Sequence, residues 1–220
     1  MLIDSGADVN VRGGKYGSAL QAACGAGCEG VVRLLVENDA KFDAALQIAS
    51  LGGHHGIVAY LLAKDADPNA QDGSFGTALQ IAAAVGREEV VQVLVDRGAD
   101  VNGKGRLFGT ALQVAAAAGN KDLVRLLLDR GADPTLGGGN FGIKSAQLLQ
   151  GPASKNDRVE DFGVSALESA AAAGYDKVVQ ILLDNVSKVM GESPERHFKR
   201  MFNGALEAAS CNGYRINCFI

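Results

Sequence analysis

The feature that most constrains the fold is an internal repeat. A short pattern, Ala-Leu-Gln or its variant Ala-Leu-Glu, occurs six times in the 220 residues. Its leucine is always followed by Ala three positions later and by Gly seven positions later. The six leucines are Leu20, Leu46, Leu79, Leu112, Leu167 and Leu206. A pattern that recurs at a period between about 20 and 50 residues predicts stacked units that share one continuous core.

Each repeat predicts two helices joined by a glycine turn. The first is short and Ala-rich, and the Gly at the seventh position is expected to end it in a left-handed conformation. In the first five repeats a pair of branched apolar residues follows, then a second apolar set at helical spacing, which predicts the buried face of a second helix. The exit segments that begin at Gly98 and Gly131 predict the same left-handed turn after that helix. Asp39 and Asp65 replace this Gly in two repeats, where a side chain makes the conformation less favourable.

These units resemble ankyrin repeats. The family pattern T-P-L-H-x-A is present as Thr77-Ala-Leu-Gln-Ile-Ala and Thr110-Ala-Leu-Gln-Val-Ala, and Gly98-Ala-Asp-Val-Asn closes a unit. The resemblance covers nearly the whole chain. It implies an all-α ankyrin-repeat solenoid of helix-turn-helix units with β-turn fingers, with about five full repeats and partial repeats at both ends.

Two departures from the family pattern are systematic: Ala replaces Pro, and Gln or Glu replaces His. Gln can donate and accept hydrogen bonds at the helix start, whereas a charged Glu cannot donate. The last two repeats are therefore expected to be held less well by hydrogen bonds. An aromatic residue followed by Gly precedes several first helices, as at Phe75-Gly76 and Phe108-Gly109. This variant is similar to ankyrin arrays of large fungal multidomain proteins.

The spacing of the repeats predicts the domain organisation. We expect one array over residues 1–220, with anchor leucines 26, 33, 33, 55 and 39 residues apart. The long gap predicts an irregular insertion at 134–162, interpreted as a tolerated insertion in preference to a dedicated binding loop. One residue lies between Ala40 and Phe42, where the next repeat has eight between Ala66 and Phe75, so the second repeat should lack its finger. Both termini interrupt a repeat, which predicts a fragment or truncated product of a longer protein.

Composition and charge exclude several classes of protein. Hydrophobic residues at 47% and charged residues at 21% favour a globular chain. A net charge of −4 disfavours nucleic-acid binding, which needs clustered positive charge. No apolar run is long enough to span a membrane, and the N-terminus lacks a secretory signal, so we expect a cytoplasmic protein, with the nucleus as the alternative. Cys24, Cys28, Cys211 and Cys218 form no CxxC pair and are expected to be free thiols.

Motifs that could carry chemistry have simpler interpretations. Gly137–Gly142 fits GxGxxG but lies in finger register, and Gly98–Lys104 begins like a P-loop yet has Gly105 where Ser or Thr must bind magnesium. His54, His55 and His197 lack partners at metal-ligand spacing. Cys24 should fill core space, and Cys28 is the candidate for redox reactivity. No catalytic set emerges, so the sequence predicts no enzyme activity, no cofactor, no metal and no small-molecule substrate.

The resemblance implies a protein-interaction module, monomeric or part of a larger chain, that binds a partner of unknown identity on its concave surface. The exposed first-helix positions of that surface are small: Gly25-Ala26, Ala84-Val85, Ala117-Ala118 and Ala172-Ala173. Specificity should therefore depend on the fingers, because aromatic residues and Arg most often dominate interface energy. The candidate contact residues are Lys15, Tyr16, Ser74, Phe75, Lys104, Arg106, Leu107, Phe108, Asn140 and Phe141.

Two alternatives bear on these predictions. Since the aromatic residues recur at one register, packing between fingers competes with recognition, and the variable Lys15, Lys104, Arg106 and Leu107 are the better candidates. The module is expected to be part of a scaffold or sensor protein. The alternative hypotheses for its function are a regulatory array of an enzyme whose catalytic domain lies outside this chain, and a decayed fragment.

Overall fold

The described part of the chain is helical. The computed structural model describes residues 6–13, 17–71, 76–105, 109–137, 165–190, 203–207 and 210. Their helices form five successive pairs, here called repeats 1 to 5, and residues 203–207 are also helical. The helices are α1 (Ala19–Ala26), α2 (Glu29–Glu37), α3 (Ala45–Gly52), α4 (His55–Ala63), α5 (Ala78–Ala84), α6 (Glu88–Asp96), α7 (Ala111–Ala117), α8 (Lys121–Asp129), α9 (Ala166–Ala172) and α10 (Asp176–Met190).

The chain divides into two compact units, Met1–Asp100 and Val101–Ile220. In the first unit, α3 packs between α1 and α5, while α4 packs between α2 and α6. Each first helix also packs against the second helix of its own pair. The anchor leucines Leu20, Leu46 and Leu79 are buried, together with Leu61 and Leu94 of the second helices. The repeated leucine therefore marks the core, as the sequence predicts.

The second unit repeats this arrangement with α7 to α10. Helix α7 packs on α9 and α8 packs on α10, with Leu112 and Leu167 buried. The predicted insertion at 134–162 lies largely outside the described residues, which stop at 137 and resume at 165. The helix pairs on either side of this gap are in direct contact, so the long stretch between them does not interrupt their stacking.

Four of the five first helices begin with a capping box. The capping residues are Ser18, Thr77, Thr110 and Ser165. The side chain of each accepts a hydrogen bond from the backbone N–H of the residue three positions later. The side chain of that later residue in turn accepts a hydrogen bond from the backbone N–H of the capping residue. This exchange satisfies two of the amide groups that a helix start leaves unpaired. Repeat 2 is the exception, because Ala44 occupies the cap position and provides no side-chain bond.

The first helices end on left-handed glycines, as predicted, with φ between 69° and 79° at Gly27, Gly53, Gly86, Gly119 and Gly174. Some of these glycines are also covered by the next repeat. A Cβ on Gly27 would lie 2.6 Å from His54 Cε1, and one on Gly119 would lie 2.6 Å from Tyr175 Cε1. Both the backbone angle and the neighbouring side chain therefore require glycine at these two positions.

The turns after the second helices also match expectation. Gly98 and Gly131 have φ of 88° and 86°, and Asp39 and Asp65 adopt the left-handed region at 62° and 63°. In repeat 5 the corresponding residue is Val186, which is buried and β-branched. Because such a residue disfavours the left-handed region, α10 continues to Met190 and is 15 residues long, whereas the other second helices have nine.

Backbone hydrogen bonds close the bases of two fingers. Gly13 N donates to Gly17 O, and Gly105 N donates to Gly109 O, both at 2.9 Å. Repeat 2 has no such base among its described residues. There Ala45 N donates to Phe42 O at 2.6 Å, and the chain turns directly into α3. The shortened finger of repeat 2 is thus visible in the backbone path.

Candidate partner-binding surface

In the first unit, the first helices present an uncharged surface. Helices α1, α3 and α5 contain no Asp, Glu, Lys, Arg or His. Their exposed positions include Gly25, Ala26 and Leu51, and Val85 directly follows α5; we call these four residues the first-helix surface. Leu51 is 52% exposed and Val85 is 36% exposed. Repeat 2, which is not among the four small pairs named from the sequence, carries Leu51 where the other repeats have Gly or Ala.

In the second unit, the corresponding positions are less open than predicted. Ala118 is exposed, whereas Ala172 and Ala173 are half-buried. Ala117, expected to be exposed, is buried, because α7 is packed against both α8 and α9. The second unit nonetheless has an exposed large apolar side chain, because Leu206 in the helix at 203–207 is 37% exposed.

Of the ten predicted contact residues, the structure describes Lys104. The other nine lie outside the described residues: Lys15, Tyr16, Ser74, Phe75, Arg106, Leu107, Phe108, Asn140 and Phe141. Lys104 is exposed, and its Nζ donates to the carbonyl oxygen of Gly137 at 2.9 Å. This bond joins two successive loops of the second unit, so Lys104 has a structural contact within the chain. Its role in partner binding stays a prediction.

An asparagine in the exit segment fixes successive loops to one another. Asn102 Nδ2 donates to Gly131 O at 3.1 Å, while its Oδ1 accepts from Asp133 N at 2.8 Å. Asn69 makes the same pair of bonds to Gly98 O and Asp100 N, at 3.3 and 2.7 Å. Asn10 does so with the turn at 39–41. The sequence analysis missed this role, although the recurring Asp-x-Asn was its visible signal.

The Gln that replaces the family's His has two separable functions. Its oxygen closes the capping box, as in Gln113, whose Oε1 accepts from Thr110 N at 2.6 Å. Its amide nitrogen can also reach the next loop, as in Gln47, whose Nε2 donates to Ala70 O at 2.9 Å. Glu168 retains the first function, because its Oε2 accepts from Ser165 N at 2.6 Å. The predicted weakening by Glu therefore applies to donation toward the next loop and not to the cap.

Cysteine and histidine side chains take structural positions. Cys24 is buried, and burial raises the pKa of its thiol to about 12, so it stays protonated and fills core space as predicted. Cys28 is exposed. His54 packs over glycines, and His55 Nδ1 lies 3.0 Å from Glu89 Oε2 in an exposed pair. Within the described ranges, no three His, Cys, Asp or Glu residues form a group that could hold a metal ion.

The P-loop-like segment is explained by the repeat. Gly98 is the left-handed residue after α6, and its N–H donates to Val95 O at 3.1 Å. Asp100 N is bonded to the Asn69 side chain. Because these two backbone N–H groups already donate hydrogen bonds within the protein, they are not available to bind a phosphate. The glycine-rich segment at 137–142 lies, apart from Gly137, outside the described residues.

Comparison with known proteins agrees with this architecture. A family model described as ankyrin repeats (3 copies) matches residues 1–72 and residues 46–137. A search of curated proteins finds no match. None of the helices in the part of the chain that the structure describes is long and apolar enough to cross a membrane. Because the residues matched by the family model make up more than half of the sequence, the chain belongs to the ankyrin-repeat family.

Proposed function

We propose that the chain is a recognition module that binds a partner protein through the first-helix surface of its first unit. Ankyrin repeats are generally protein–protein interaction modules and typically non-catalytic. The observation that carries the proposal is the exposure of Leu51 on α3 and of Val85 at the end of α5, since neither helix contains a charged side chain. Apolar side chains exposed on an uncharged surface favour contact with another apolar surface.

We propose separately that the fingers supply specificity. Arg106 and Leu107 remain the best candidates, because they vary between repeats that otherwise keep one pattern. Replacing both with Ala should weaken binding while leaving helicity unchanged. In this proposal the array contributes recognition, and not catalysis, to a scaffold or sensor protein.

The test compares two apolar-to-charged variants. Leu51→Glu places a charge on the first-helix surface, and Val31→Glu places one on α2, where Val31 is 47% exposed. Both variants and the original chain are used as bait in extracts of the source cells, and bound proteins are quantified by mass spectrometry. The expected result is a partner retained by the original chain and by Val31→Glu but reduced at least tenfold by Leu51→Glu.

A direct measurement follows with the purified partner. Its Kd should rise at least tenfold for Leu51→Glu and less than twofold for Val31→Glu, while circular dichroism shows that both variants are folded. A partner whose affinity is the same for all three chains would contradict the placement of the binding surface.

A further inference from the structure

The irregularities of the first unit are concentrated in one place. We call residues 39–65, which contain α3, α4 and the turns at both ends, the repeat-2 segment. Among the described residues, all three non-glycine residues with positive φ lie in it: Asp39, Asp43 and Asp65, at 62°, 34° and 63°. An L-residue is strained in this region of backbone space, whereas glycine is not. The equivalent turn of repeat 3 has Gly98.

Both buried polar atoms without a hydrogen-bond partner in the described part of the chain also belong to this segment. They are Gln47 Oε1 and the hydroxyl of Tyr60. Gln47 lacks its usual bond because Ala44 has φ −80° and ψ 16° rather than the extended conformation of a cap such as Thr77. The Tyr60 ring is held by the Arg33 guanidinium at 4.4 Å, but its hydroxyl remains unpaired. A buried polar group without a partner destabilises the folded state.

One connection to the preceding repeat is also weaker. Asn69 bridges the exit turn of repeat 2 to that of repeat 3. The exit turn of repeat 1, which leads into the shortened finger of repeat 2, has Asp43 at the equivalent position. In that region Arg12 Nη2 lies 2.6 Å from Asp43 Oδ2, and the arginine side chain is largely exposed. Exposed ion pairs of this kind contribute little to stability. Within α3, Ser50 Oγ donates to Leu46 O at 2.7 Å, a bond that slightly destabilises helices.

From this concentration we infer that the repeat-2 segment is a built-in conformational weak point, which opens locally while repeat 3 remains folded. Strained residues, unpaired buried polar atoms and a missing helix cap act on the same 27 residues, from 39 to 65, and all lower the free energy needed to open them. The inference concerns the conformational equilibrium of the first unit and does not depend on the identity or position of a binding partner.

Hydrogen exchange of the full chain, followed by mass spectrometry, measures this opening. The amides of α3 and α4 should exchange at least tenfold faster than those of α5 and α6. Equal or slower exchange in α3 and α4 would overturn the inference, because these amides report the opening equilibrium directly.

A variant that relieves the strain at Asp39 and Asp65 tests whether this strain, and not general fraying of the chain, causes the opening. The double substitution Asp39→Gly and Asp65→Gly relieves both strained turns and should slow exchange in α3 and α4 about fivefold. The matched control is Asp39→Ala with Asp65→Ala, which removes the same carboxylates but cannot relax the left-handed backbone. The control should not slow exchange. Equal slowing by both pairs, or no slowing by the glycine pair, would show that backbone strain is not the cause.

Discussion

In the second unit the Tyr175 ring covers Gly119, and replacing this glycine with alanine tests the packing between them. Gly119 has φ of 71°, so an alanine there would be strained by about 1 kcal/mol. Its Cβ would also lie 2.6 to 2.8 Å from three atoms of the Tyr175 ring, which must then move. Overpacking of this kind costs about 2 kcal/mol. Together these terms predict that Gly119→Ala lowers the free energy of unfolding by about 3 kcal/mol.

The same unit contains a matched control. Gly131 has φ of 86°, and a Cβ added to it would meet no atom within 4 Å. Gly131→Ala should therefore cost only the backbone term, about 1 kcal/mol. The assay is urea denaturation followed by circular dichroism at the helical minimum. With a dependence on urea of about 2 kcal/mol per molar, the midpoint of Gly119→Ala should lie about 1 M below that of Gly131→Ala.

A double-mutant cycle identifies the source of the difference. In a Tyr175→Ala background the ring is absent, so Gly119→Ala should cost only about 1 kcal/mol. Equal midpoints for Gly119→Ala and Gly131→Ala in the original background would refute the reasoning, since both substitutions would then report the backbone angle alone.

Three further predictions concern caps, loop bridges and the buried thiol. Thr110→Ala removes the cap of α7 and should lower the free energy of unfolding by about 1 kcal/mol in urea, whereas Thr110→Ser should be neutral within error. Asn102→Ala removes both bonds to the next exit turn and should cost about 1 to 2 kcal/mol, and an unchanged midpoint would show that the bridge is dispensable. Burial raises the pKa of Cys24 above its ordinary value of 9.0 to about 12. Its contribution to stability is therefore complete below pH 9 and declines as the pH rises toward 12, a decline that Cys24→Ala should abolish in urea midpoints measured at several pH values.

The sequence was sufficient for the helix pairs and their turns. Because leucine, alanine and glycine recur at fixed offsets, the first helices of repeats 1 to 5 end in the same way, and repeats 1 to 4 share the left-handed exit turn, including at Asp39 and Asp65. These predictions succeed because they depend on residues close together in the chain. The position of a glycine seven residues after a buried leucine is enough to define the end of the first helix.

Features that arise between repeats were harder to predict. The sequence shows that Leu51 stands where the other repeats have Gly or Ala, but its exposure of 52% depends on how the neighbouring helices pack. The Asn69 and Asn102 bridges reach a turn about 30 residues away, and no local rule links an asparagine to that partner. The length of α10 depends on Val186, which stands where the other repeats have Gly or Asp. Because valine disfavours the left-handed conformation, the helix continues past this position.

The Gly-Ser-Ala-Leu-Gln pattern is best understood as one physical unit rather than five separate preferences. In repeat 1 the Gln21 side chain folds back to accept the Ser18 N–H at 2.9 Å, and its Oε1 occupies the place where a Cβ of Gly17 would be. The glycine is therefore needed to admit the glutamine, and the extended serine is needed to present the N–H. Repeat 2 keeps the glutamine as Gln47 but replaces the two residues before Ala-Leu with Asp43 and Ala44. The Gln47 oxygen then has no hydrogen-bond partner. Substitutions at two positions therefore remove a hydrogen bond made by a third residue that is itself unchanged.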